Sequence, residues 1–594
     1  MYSVPFYDVT VTDGFWQEMQ QLNIEKTLWA VYDRFCETGR VGTMDCKPGE
    51  IMPHCYWGSD VFKWLEGAAY ILEQKQDEKL SRAVEHIVNM VEEGCREDGY
   101  YNSYYNNPLV NEERFTDRNM HELYSLGHMI EAAIAHHHAT GSDRLLSLAK
   151  KGAGLVYRVF LEEDSAAFTT PGHEEIELAL LRLYQYTGEE KYLVLAEFFL
   201  KKRGNNEKDT PVMDDDRTVD QSHLPVYEQE EAVGHAVRAV YLYSAMADYA
   251  KICKDEKMQA AAEKLFADIY ERKMYITGGI GSFRFGERFM TPYQLPNETA
   301  YAETCAALGF ALFCRRMYSQ KLDGRYGDGA ERALFNGMIS GLSLSGDAFF
   351  YKNPLEISLA HQPFTAAGLP ETQRKKVFDC SCCPPNLVRL IASVADFIYS
   401  YDEERLYVHQ YIANRGTVDG NAVSIETKYP AEGRVSVSYE GDKKLVLRRP
   451  AWCKELVTEE TYREEKGYLY FDTNQVTVTF VIEPVFYQAN AMVTENSGRV
   501  ALARGPIVYC AEGQDQSASL CSLAVDTSQE VKVLAETYGA YPKLLAKGFM
   551  RKEQSSLYEV VTEEVGTPCD ITFVPYYTFA NRGEDDMQVW LPRA

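Results

Sequence analysis

The chain has 594 residues, of which 45% are hydrophobic and 25% are charged, and its formal net charge is −27. It is too long for one ordinary hydrophobic core, so two to four domains are expected. The excess of acidic residues argues against a nucleic-acid or anionic-membrane surface, which needs clustered lysine and arginine.

The N-terminus and the cysteines predict a cytoplasmic location. The N-terminus has no basic stretch followed by an apolar one, and no apolar run in the chain reaches the length of a membrane span. The fourteen cysteines are scattered and fit reduced thiols or metal ligands better than a disulfide framework. We expect no nucleic-acid partner and no membrane partner.

Helical hairpins repeat between about residues 20 and 400. Each hairpin turn is short and polar and brings a basic residue, at Lys79, Arg144, Lys191 and Lys257, which are 65, 47 and 66 residues apart. A looser fifth copy surrounds residues 322–325. Solenoid repeats usually keep a tighter period. The long, uneven period favours a closed (α/α)6 barrel whose long loops lie on one face.

Polar residues open several of these otherwise apolar helices. Within each group they are three, four or seven residues apart, which places them on one helix face. The groups are His121, Tyr124, Ser125 and His128; His173 and Glu177; and Glu231, His235 and Arg238. A lone histidine of this kind is usually a core residue. Several helix starts of the same kind predict a polar pocket at the barrel axis.

After about residue 400 the pattern alternates between apolar and polar residues, as in half-buried strands. Segments such as LYVHQYI, GRVSVSYEG and QVTVTFVIEP are bounded by turn residues, which is typical of a β-sandwich. A further β-rich stretch begins near RVALARGPIVYCAEG. The sequence therefore predicts a helical barrel at 1–400, a β-sandwich at 401–505 and a second, smaller β-rich domain at 506–594.

Two short motifs contain metal-ligating residue types. Glu303 and Cys305 are two residues apart in YAETCAALG, and Cys382 and Cys383 are adjacent in CSCCPPN. Adjacent cysteines rarely bridge to each other, and three sulfurs with one carboxylate make a suitable four-ligand zinc shell. The alternative is a set of buried cysteines and a glutamate at a helix start, because no zinc-finger spacing is present. Spacing alone leaves both interpretations open.

Nearly the whole chain resembles glycoside hydrolase family 127, the zinc-dependent β-L-arabinofuranosidase family. The similarity is carried by DVTVTDGFW, SDVFKWLEGAAY, HELYSLGHMIEA, GHAVRAVYLY, TGGIGSFRFGERF, YAETCA, CSCCPPNLVR, RGPIVYCAE and PYYTFANRG. The resemblance implies an (α/α)6 barrel followed by two β-sandwich domains. It also implies a retaining exo-glycosidase that releases terminal β-L-arabinofuranosyl or related plant-derived sugars from an oligosaccharide or glycoside. A homodimer is compatible with such an enzyme.

The same resemblance implies roles for individual residues. The zinc ligands are expected to be Glu303, Cys305, Cys382 and Cys383. Cys382 is also expected to be the nucleophile, in place of the carboxylate usual in glycosidases, and Glu287 in FGERF to be the general acid/base. The sugar-contacting residues are expected to be His128, His173, His235 and Tyr351. No role follows for Cys380.

Two other functions are compatible with these residues. A sugar epimerase or isomerase would use a histidine base and keep the zinc as a structural ion, and its product would be an isomer of unchanged mass. A non-catalytic carbohydrate-binding protein would be expected to lack Glu287 or a zinc ligand, and neither is missing. The fold does not determine the sugar. We expect the loops at 98–116, 205–222 and 352–378 to determine it.

Overall fold

A computed structural model describes residues 1–49, 51–205, 207–361, 371–376, 380–552, 556–558, 560 and 566–594. Within these ranges the α-helices are α1 (Gly14–Leu22), α2 (Leu28–Glu37), α3 (Trp57–Gln74), α4 (Glu78–Gly94), α5 (Glu122–Thr140), α6 (Arg144–Tyr157), α7 (Ile176–Thr187), α8 (Glu190–Lys202), α9 (Ala236–Cys253), α10 (Glu256–Asp268), α11 (Thr304–Tyr318), α12 (Gly324–Arg332) and α13 (Cys383–Ala392). None of them is both long and apolar enough to cross a membrane.

The strands in the same ranges are mostly short. They are β1 (Tyr2–Ser3), β2 (Val9–Val11), β3 (Glu356–Ile357), β4 (Tyr399–Tyr401), β5 (Arg405–Val408), β6 (Asn414–Val418), β7 (Asn421–Thr427), β8 (Arg434–Tyr439), β9 (Lys444–Arg448), β10 (Leu456–Val457), β11 (Tyr462–Glu465), β12 (Tyr468–Phe471), β13 (Gln475–Phe480), β14 (Pro484–Tyr487), β15 (Arg499–Arg504), β16 (Ile507–Glu512), β17 (Leu523–Val525), β18 (Lys532–Tyr538), β19 (Tyr541–Met550), β20 (Thr567–Pro575), β21 (Met587–Gln588) and β22 (Trp590–Pro592). The predicted change from a helical region to β-sheets is confirmed.

Six helices form a closed inner ring. These are α3, α5, α7, α9, α11 and α13; each packs against the next, and α13 packs against α3. An outer layer follows, in which α4, α6, α8, α10 and α12 each pack on the inner helix that precedes them. The outer position beside α13 and α3 is taken by α1 and α2, which are joined through a π-helical segment at Asn23–Thr27.

The polar turns of the sequence are helix caps. Gly141 and Gly188 directly follow α5 and α7. Their φ angles of 71° and 72° are left-handed, a conformation that glycine adopts without steric cost. Asp77 and Asp255 precede α4 and α10, and their side chains accept backbone N–H groups of the first helical turn. The inner and outer helices of a hairpin are therefore joined tightly, which holds them antiparallel.

Inner and outer helices differ in burial. α3 buries every residue from Gly58 to Leu72, as expected for a helix surrounded by protein on all sides. α4 buries only one stripe, which consists of Leu80, Ala83, Val84, Ile87, Val88 and Val91. This spacing of three and four residues gives the outer helix one apolar face toward the ring.

Two six-stranded sheets follow the helical region. Their strand orders are β1-β4-β5-β9-β12-β11 and β10-β13-β8-β7-β6-β2. β1 and β2 belong to the N-terminus and pair with β4 and β6. Residues 2–11 therefore join the sheets, although the sequence assigned them to the helical domain at 1–400. Strands of two and three residues carry too little alternation to be recognised from sequence.

A third sheet of ten strands contains β14–β22 together with β3. Its β15 and β16 form a hairpin in which Ala503 lies opposite Val508. The predicted domain boundary between residues 505 and 506 falls inside this hairpin, and the third sheet begins at β14. Alternation continues from β13 into β14, so the sequence pattern does not mark the change of sheet.

The third sheet supports the segments that enter and follow α11. A buried apolar cluster joins Ala302 and Phe350, from the helical region, to Val574 and Phe579. The rings of Phe350 and Phe579 stack with centroids 5.1 Å apart, and β3 pairs with β21. The C-terminal sheet therefore holds the backbone on either side of residues 303 and 351.

Arg448 of β9 joins the first sheet to the helical layer. Its fully buried guanidinium contacts the carboxylates of Asp328 and Glu331 in α12. Arg448→Met should lower the free energy of unfolding by about 3–5 kcal/mol, because two largely buried carboxylates lose their counter-charge. Urea unfolding followed by tryptophan fluorescence measures the change. The exposed pair Arg463–Glu465 is the control: Arg463→Met should cost less than about 1 kcal/mol, and equal effects of the two substitutions would contradict the assignment.

Candidate active site

A cavity of about 600 Å³ opens at the N-terminal ends of the inner helices. It is lined by residues at the starts of α3, α5, α9, α11 and α13, by His173 before α7 and by residues 283–287. A second cavity of about 350 Å³ is lined by other residues of the same helices and by residues 3–7, and by none of the predicted site residues. Because helix N-termini carry partial positive charge, their convergence favours negative charge in the first cavity.

The four predicted ligand residues lie together at the starts of α11 and α13. The sulfur of Cys305 is 3.2 Å from that of Cys383 and 3.6 Å from that of Cys382, and the sulfurs of Cys382 and Cys383 are 3.8 Å apart. Oε1 of Glu303 is 3.5 Å from the sulfurs of both Cys382 and Cys383. The cluster can hold a metal ion.

Burial and mutual proximity alter the acidity of these groups. Burial raises the pKa of Glu303 and of Cys383 well above their usual values. Burial also raises the pKa of Cys305, but hydrogen bonds from the neighbouring thiols lower it more, to about 6. Several buried ionisable groups at such distances need a counter-charge before they can all ionise.

Asn386, which is buried, holds Cys305 through a hydrogen bond. Its Nδ2 donates to the Cys305 sulfur at 3.1 Å, while its Oδ1 accepts from Nε of Arg389 at 2.7 Å. Because Oδ1 is occupied by a donor, the side-chain N–H group must face the sulfur. Arg389 is itself fixed by Glu66 at 2.8 Å and by the Tyr241 hydroxyl at 3.2 Å.

Cys382 is the most exposed of the three clustered cysteines, and it lines the cavity together with Glu303 and Cys305. It is partly exposed, whereas Cys305 and Cys383 are buried. Its sulfur is 3.5 Å from the hydroxyl of Tyr351, which is also 3.8 Å from the sulfur of Cys380. Tyr351 and Cys380 both line the cavity. Among the three clustered sulfurs, that of Cys382 is therefore the most accessible to a ligand in the cavity.

Glu287 stands at the tip of a tight hairpin beside this cluster. Phe283 and Arg288 exchange two backbone hydrogen bonds of 3.0 and 2.9 Å. Gly286 and Glu287 follow each other with left-handed φ angles of 70° and 51°, which is uncommon for a glutamate. The carbonyl oxygen of Glu287 accepts from the backbone N–H of Ala236 at 2.9 Å, so the tip is fastened to the start of α9.

The Glu287 carboxylate is held by His235. Its Oε2 lies 3.0 Å from Nε2 of His235. Nδ1 of His235 accepts from the backbone N–H of Val237 at 3.2 Å, so its ring proton is on Nε2 and points toward Glu287. Burial raises the pKa of Glu287, but hydrogen bonds from His235 and from Tyr301 lower it more, to about 2. Glu287 is therefore ionised at rest.

His121 and His173 present hydrogen-bond acceptors to the cavity. Nδ1 of His121 donates to the carbonyl oxygen of Asn119 at 2.6 Å, and Nδ1 of His173 donates to that of Glu174 at 2.9 Å. Burial lowers the pKa of His121 to about 3 and that of His173 well below its usual value. Both rings are therefore neutral at pH 7, and their Nε2 atoms can accept hydrogen bonds from hydroxyl groups.

Three arginines fix the segment that carries His173. Arg118 and Arg203 donate to the carbonyl oxygen of Pro171 at 3.1 and 3.0 Å. Arg238 donates to the carbonyl oxygen of Gly172 at 2.7 Å. Arg238 also lines the cavity. It brings a positive charge beside the histidines, which further lowers the pKa of His173.

The structure corrects one predicted sugar contact. His128 does not line the cavity: it is fully buried, its ring packs on Tyr124, and its Nδ1 is 3.3 Å from Glu175. An α-helix rises 1.5 Å per residue, so His128 lies about 10 Å deeper along the helix than His121. His121 takes the expected place in the wall. The other predicted sugar contacts that line the cavity are His173, His235 and Tyr351.

The three loops expected to determine specificity contribute unequally. The loop at 205–222 contributes Met213 to the cavity wall, and the loop at 98–116 contributes none of the lining residues. Part of the loop at 352–378, namely 362–370 and 377–378, lies outside the described residues. The site residues that the sequence did not predict include Tyr56, Asp60, Phe283, Phe285 and Tyr301. All but Tyr56 had a signal, since Asp60 lies in SDVFKWLEGAAY, Phe283 and Phe285 lie in TGGIGSFRFGERF, and Tyr301 opens YAETCA.

Comparison with known proteins identifies the family. A model of the β-L-arabinofuranosidase GH127 catalytic domain matches residues 8–396, and a model of the glycoside hydrolase family 127 C-terminal domain matches residues 484–592. The chain belongs to glycoside hydrolase family 127. The resemblance inferred from the sequence motifs is confirmed, and the protein is a glycoside hydrolase.

Family 127 relatives cover the whole chain. A non-reducing end β-L-arabinofuranosidase from Bifidobacterium longum subsp. longum is 31% identical, over 99% of this chain and 100% of that protein. The crystal structure of a family 127 β-L-arabinofuranosidase from Geobacillus stearothermophilus T6 is 35% identical, with a TM-score of 0.91 over 99% of this chain and 100% of that one. Another family 127 β-arabinofuranosidase structure is 34% identical, with a TM-score of 0.89 over 100% of this chain and 98% of that one.

Proposed function

We propose that the protein is a retaining exo-glycosidase that releases terminal β-L-arabinofuranosyl residues, or related plant-derived sugars, from oligosaccharides or glycosides. One observation carries the proposal: a single cavity holds an accessible thiol of a four-residue cluster, Cys382, and a carboxyl group, Glu287. Family membership and the activities named for the relatives support the choice of sugar.

The proposed fold is an (α/α)6 barrel followed by two β-sandwich domains. The closed ring of six inner helices with its outer layer supports the barrel. The two six-stranded sheets and the ten-stranded sheet support the β-domains. The cytoplasmic location, the homodimer, and the lack of nucleic-acid or membrane partners stay predictions from the sequence.

The proposed metal is Zn²⁺, held by Glu303, Cys305, Cys382 and Cys383. Zinc ligands lie at about 2.3 Å for sulfur and about 2.0 Å for oxygen in tetrahedral sites, so ligand atoms should be about 3.8 Å apart for two sulfurs and about 3.5 Å for sulfur and oxygen. The sulfur–sulfur separations of 3.6 and 3.8 Å and both sulfur–oxygen separations of 3.5 Å are close to these values, and the separation of 3.2 Å between Cys305 and Cys383 is shorter. When bound, Zn²⁺ keeps the thiols deprotonated.

In the first half of the proposed reaction, the sulfur of Cys382 attacks the anomeric carbon. The bond from that carbon to the leaving oxygen breaks, and Glu287 gives its proton to the oxygen. Because Glu287 is ionised at rest, it takes up this proton as the sugar binds. The sugar displaces water from the carboxyl, and a less hydrated carboxyl holds a proton more strongly.

In the second half, Glu287 accepts a proton from a water molecule. The water oxygen attacks the anomeric carbon and displaces the sulfur of Cys382, which restores the enzyme. Two inversions at one carbon give net retention. His121 and His173 position the sugar by accepting hydrogen bonds from its hydroxyl groups, and His235 orients the Glu287 carboxylate.

The histidine chemistry opposes the alternative of an epimerase with a histidine base. A general base at neutral pH needs a pKa near 7, whereas burial lowers the pKa of His121 to about 3 and that of His173 well below its usual value. The product of the reaction decides directly: a free sugar supports the glycosidase, and an isomer of unchanged mass supports the epimerase.

Zinc content tests the metal assignment. The purified protein should contain one Zn²⁺ per chain. Cys305→Ser should weaken zinc binding by more than about 100-fold, since loss of a residue that only hydrogen-bonds to a ligand already costs about 10- to 100-fold. Chelator competition and metal quantification measure this. Cys314→Ser, in the same helix and equally buried, should keep its zinc, and zinc loss from both variants would indicate general unfolding instead.

Glu287→Gln tests the acid/base. This variant should lower kcat/KM for a natural glycoside by about 10²- to 10⁴-fold while keeping its zinc and its unfolding midpoint. An aryl glycoside with an acidic phenol should lose less in the first half-reaction, because that leaving group needs no proton. Added azide should restore turnover and yield a glycosyl azide. Glu231→Gln, an exposed carboxylate near the start of α9, is the control, and near-normal activity of Glu287→Gln would reject the role.

A covalent adduct tests the nucleophile. Protein quenched in acid during turnover of a slow substrate should carry one pentosyl group on the peptide that contains Cys382. Since Cys380 and Cys383 share that peptide, fragment masses and variants must locate the group. The adduct should persist in Cys380→Ser and disappear in Cys382→Ser. An adduct on a carboxylate would reject the thiol mechanism.

A further inference from the structure

Three exposed apolar side chains border the cavity next to Glu287. Phe283 is 41% exposed, Phe285 is 57% exposed and Met213 is 37% exposed, and all three line the cavity. Scattered exposed apolar residues are ordinary on a protein surface. These three share one cavity rim, and two of them are aromatic residues on the hairpin that carries the acid/base.

The exposed rim is held in place. Arg288 donates from Nε to the carbonyl oxygen of Phe285 at 2.9 Å and from a terminal nitrogen to Asp216 at 2.7 Å. Its other terminal nitrogen lies 4.0 Å from the sulfur of Met213. One guanidinium therefore joins the hairpin tip to the segment at 213–216. Aromatic surface that is fixed yet uncovered offers a binding face whose ordering cost is already met by the fold.

The reaction geometry determines what this face meets. The anomeric carbon must lie between the sulfur of Cys382 and the leaving oxygen, and Glu287 must be within hydrogen-bond reach of that oxygen. The leaving group therefore extends past Glu287, on the side away from Cys382. Phe285 lies two residues before Glu287 on the same hairpin tip and lines the same cavity, so it is part of the wall next to the acid/base.

We propose that Phe283 and Phe285 form the binding site for the leaving group and select leaving groups that present a flat apolar ring face, a sugar ring or an aryl ring. This inference rests on the proposed function. Contact with an aromatic face strengthens the binding of such rings. It does not strengthen the binding of a methyl leaving group. The carboxylate that protonates the leaving oxygen and the surface that holds the leaving group would then move as one hairpin.

Phe285→Ala tests the proposal with three β-L-arabinofuranosides, whose leaving groups are methanol, a phenol and a second arabinose. The variant should lower kcat/KM about 3- to 10-fold for the aryl and disaccharide substrates and less than about 2-fold for the methyl glycoside. Hydrolysis of the glycosyl-enzyme, measured as kcat where that step limits the rate, should not change, because the leaving group has already departed. Phe285→Tyr keeps the ring face and should restore selectivity.

The outcomes separate this proposal from the proposed function. If the wild-type protein hydrolyses none of the three substrates, the proposed function fails. If it hydrolyses them and Phe285→Ala affects all three equally, the leaving-group site is rejected. A change in oligomeric state with unchanged selectivity also rejects it and identifies the rim as an interface between copies. Tyr462→Ala, which removes an aromatic side chain exposed by 42% on β11, is the matched control and should change none of these values.

Discussion

The close burial of three thiols and a carboxyl is the interaction on which the site depends. Four groups that can each carry negative charge lie within 4.8 Å of one another at the starts of two helices. The helix ends compensate part of that charge, and the amide of Asn386 compensates part of it at Cys305. Ionisation of all four groups would need a cation to compensate the remainder. Since Asn386 and burial restrain Cys305, while Cys382 is open to the cavity, the environment makes chemically equivalent sulfurs unequal.

The scaffold serves mainly to hold irregular backbone near this cluster. Glu287 needs a left-handed tip, and the segment of His173 needs the guanidinium groups of Arg118, Arg203 and Arg238 to satisfy its carbonyl oxygens. The third sheet holds the backbone beside residues 303 and 351 in place through apolar contacts. In the part of the chain that the structure describes, the third sheet contributes no residue to the cavity wall. It contributes to the site by restricting the backbone that carries cavity residues 303 and 351.

Much of the fold and of the cluster followed from the sequence because their signals are local. Glycine turns and apolar stripes define the hairpins, and the motifs Glu303-x-Cys305 and Cys382-Cys383 contain the four residues that the structure brings together. The predictions from sequence were wrong where the distance of a residue from the cavity, measured along its helix, decides its role. Helical periodicity places His121 and His128 on one face and cannot tell which of them reaches the cavity. Strand pairing over long distances, as between β2 and β6, leaves no trace in a three-residue segment.

The lengths of the connections in the ring alternate, with a practical consequence. At the end away from the cavity, an inner helix passes to its outer partner through two to five residues, such as 141–143 and 188–189. At the cavity end the chain returns through long segments, such as 203–235 and 269–303. Divergence among relatives can therefore remodel the mouth without repacking the ring. The short turns are the places where a fluorophore, an affinity tag or a surface tether can be attached, on the opposite side of the molecule from the chemistry.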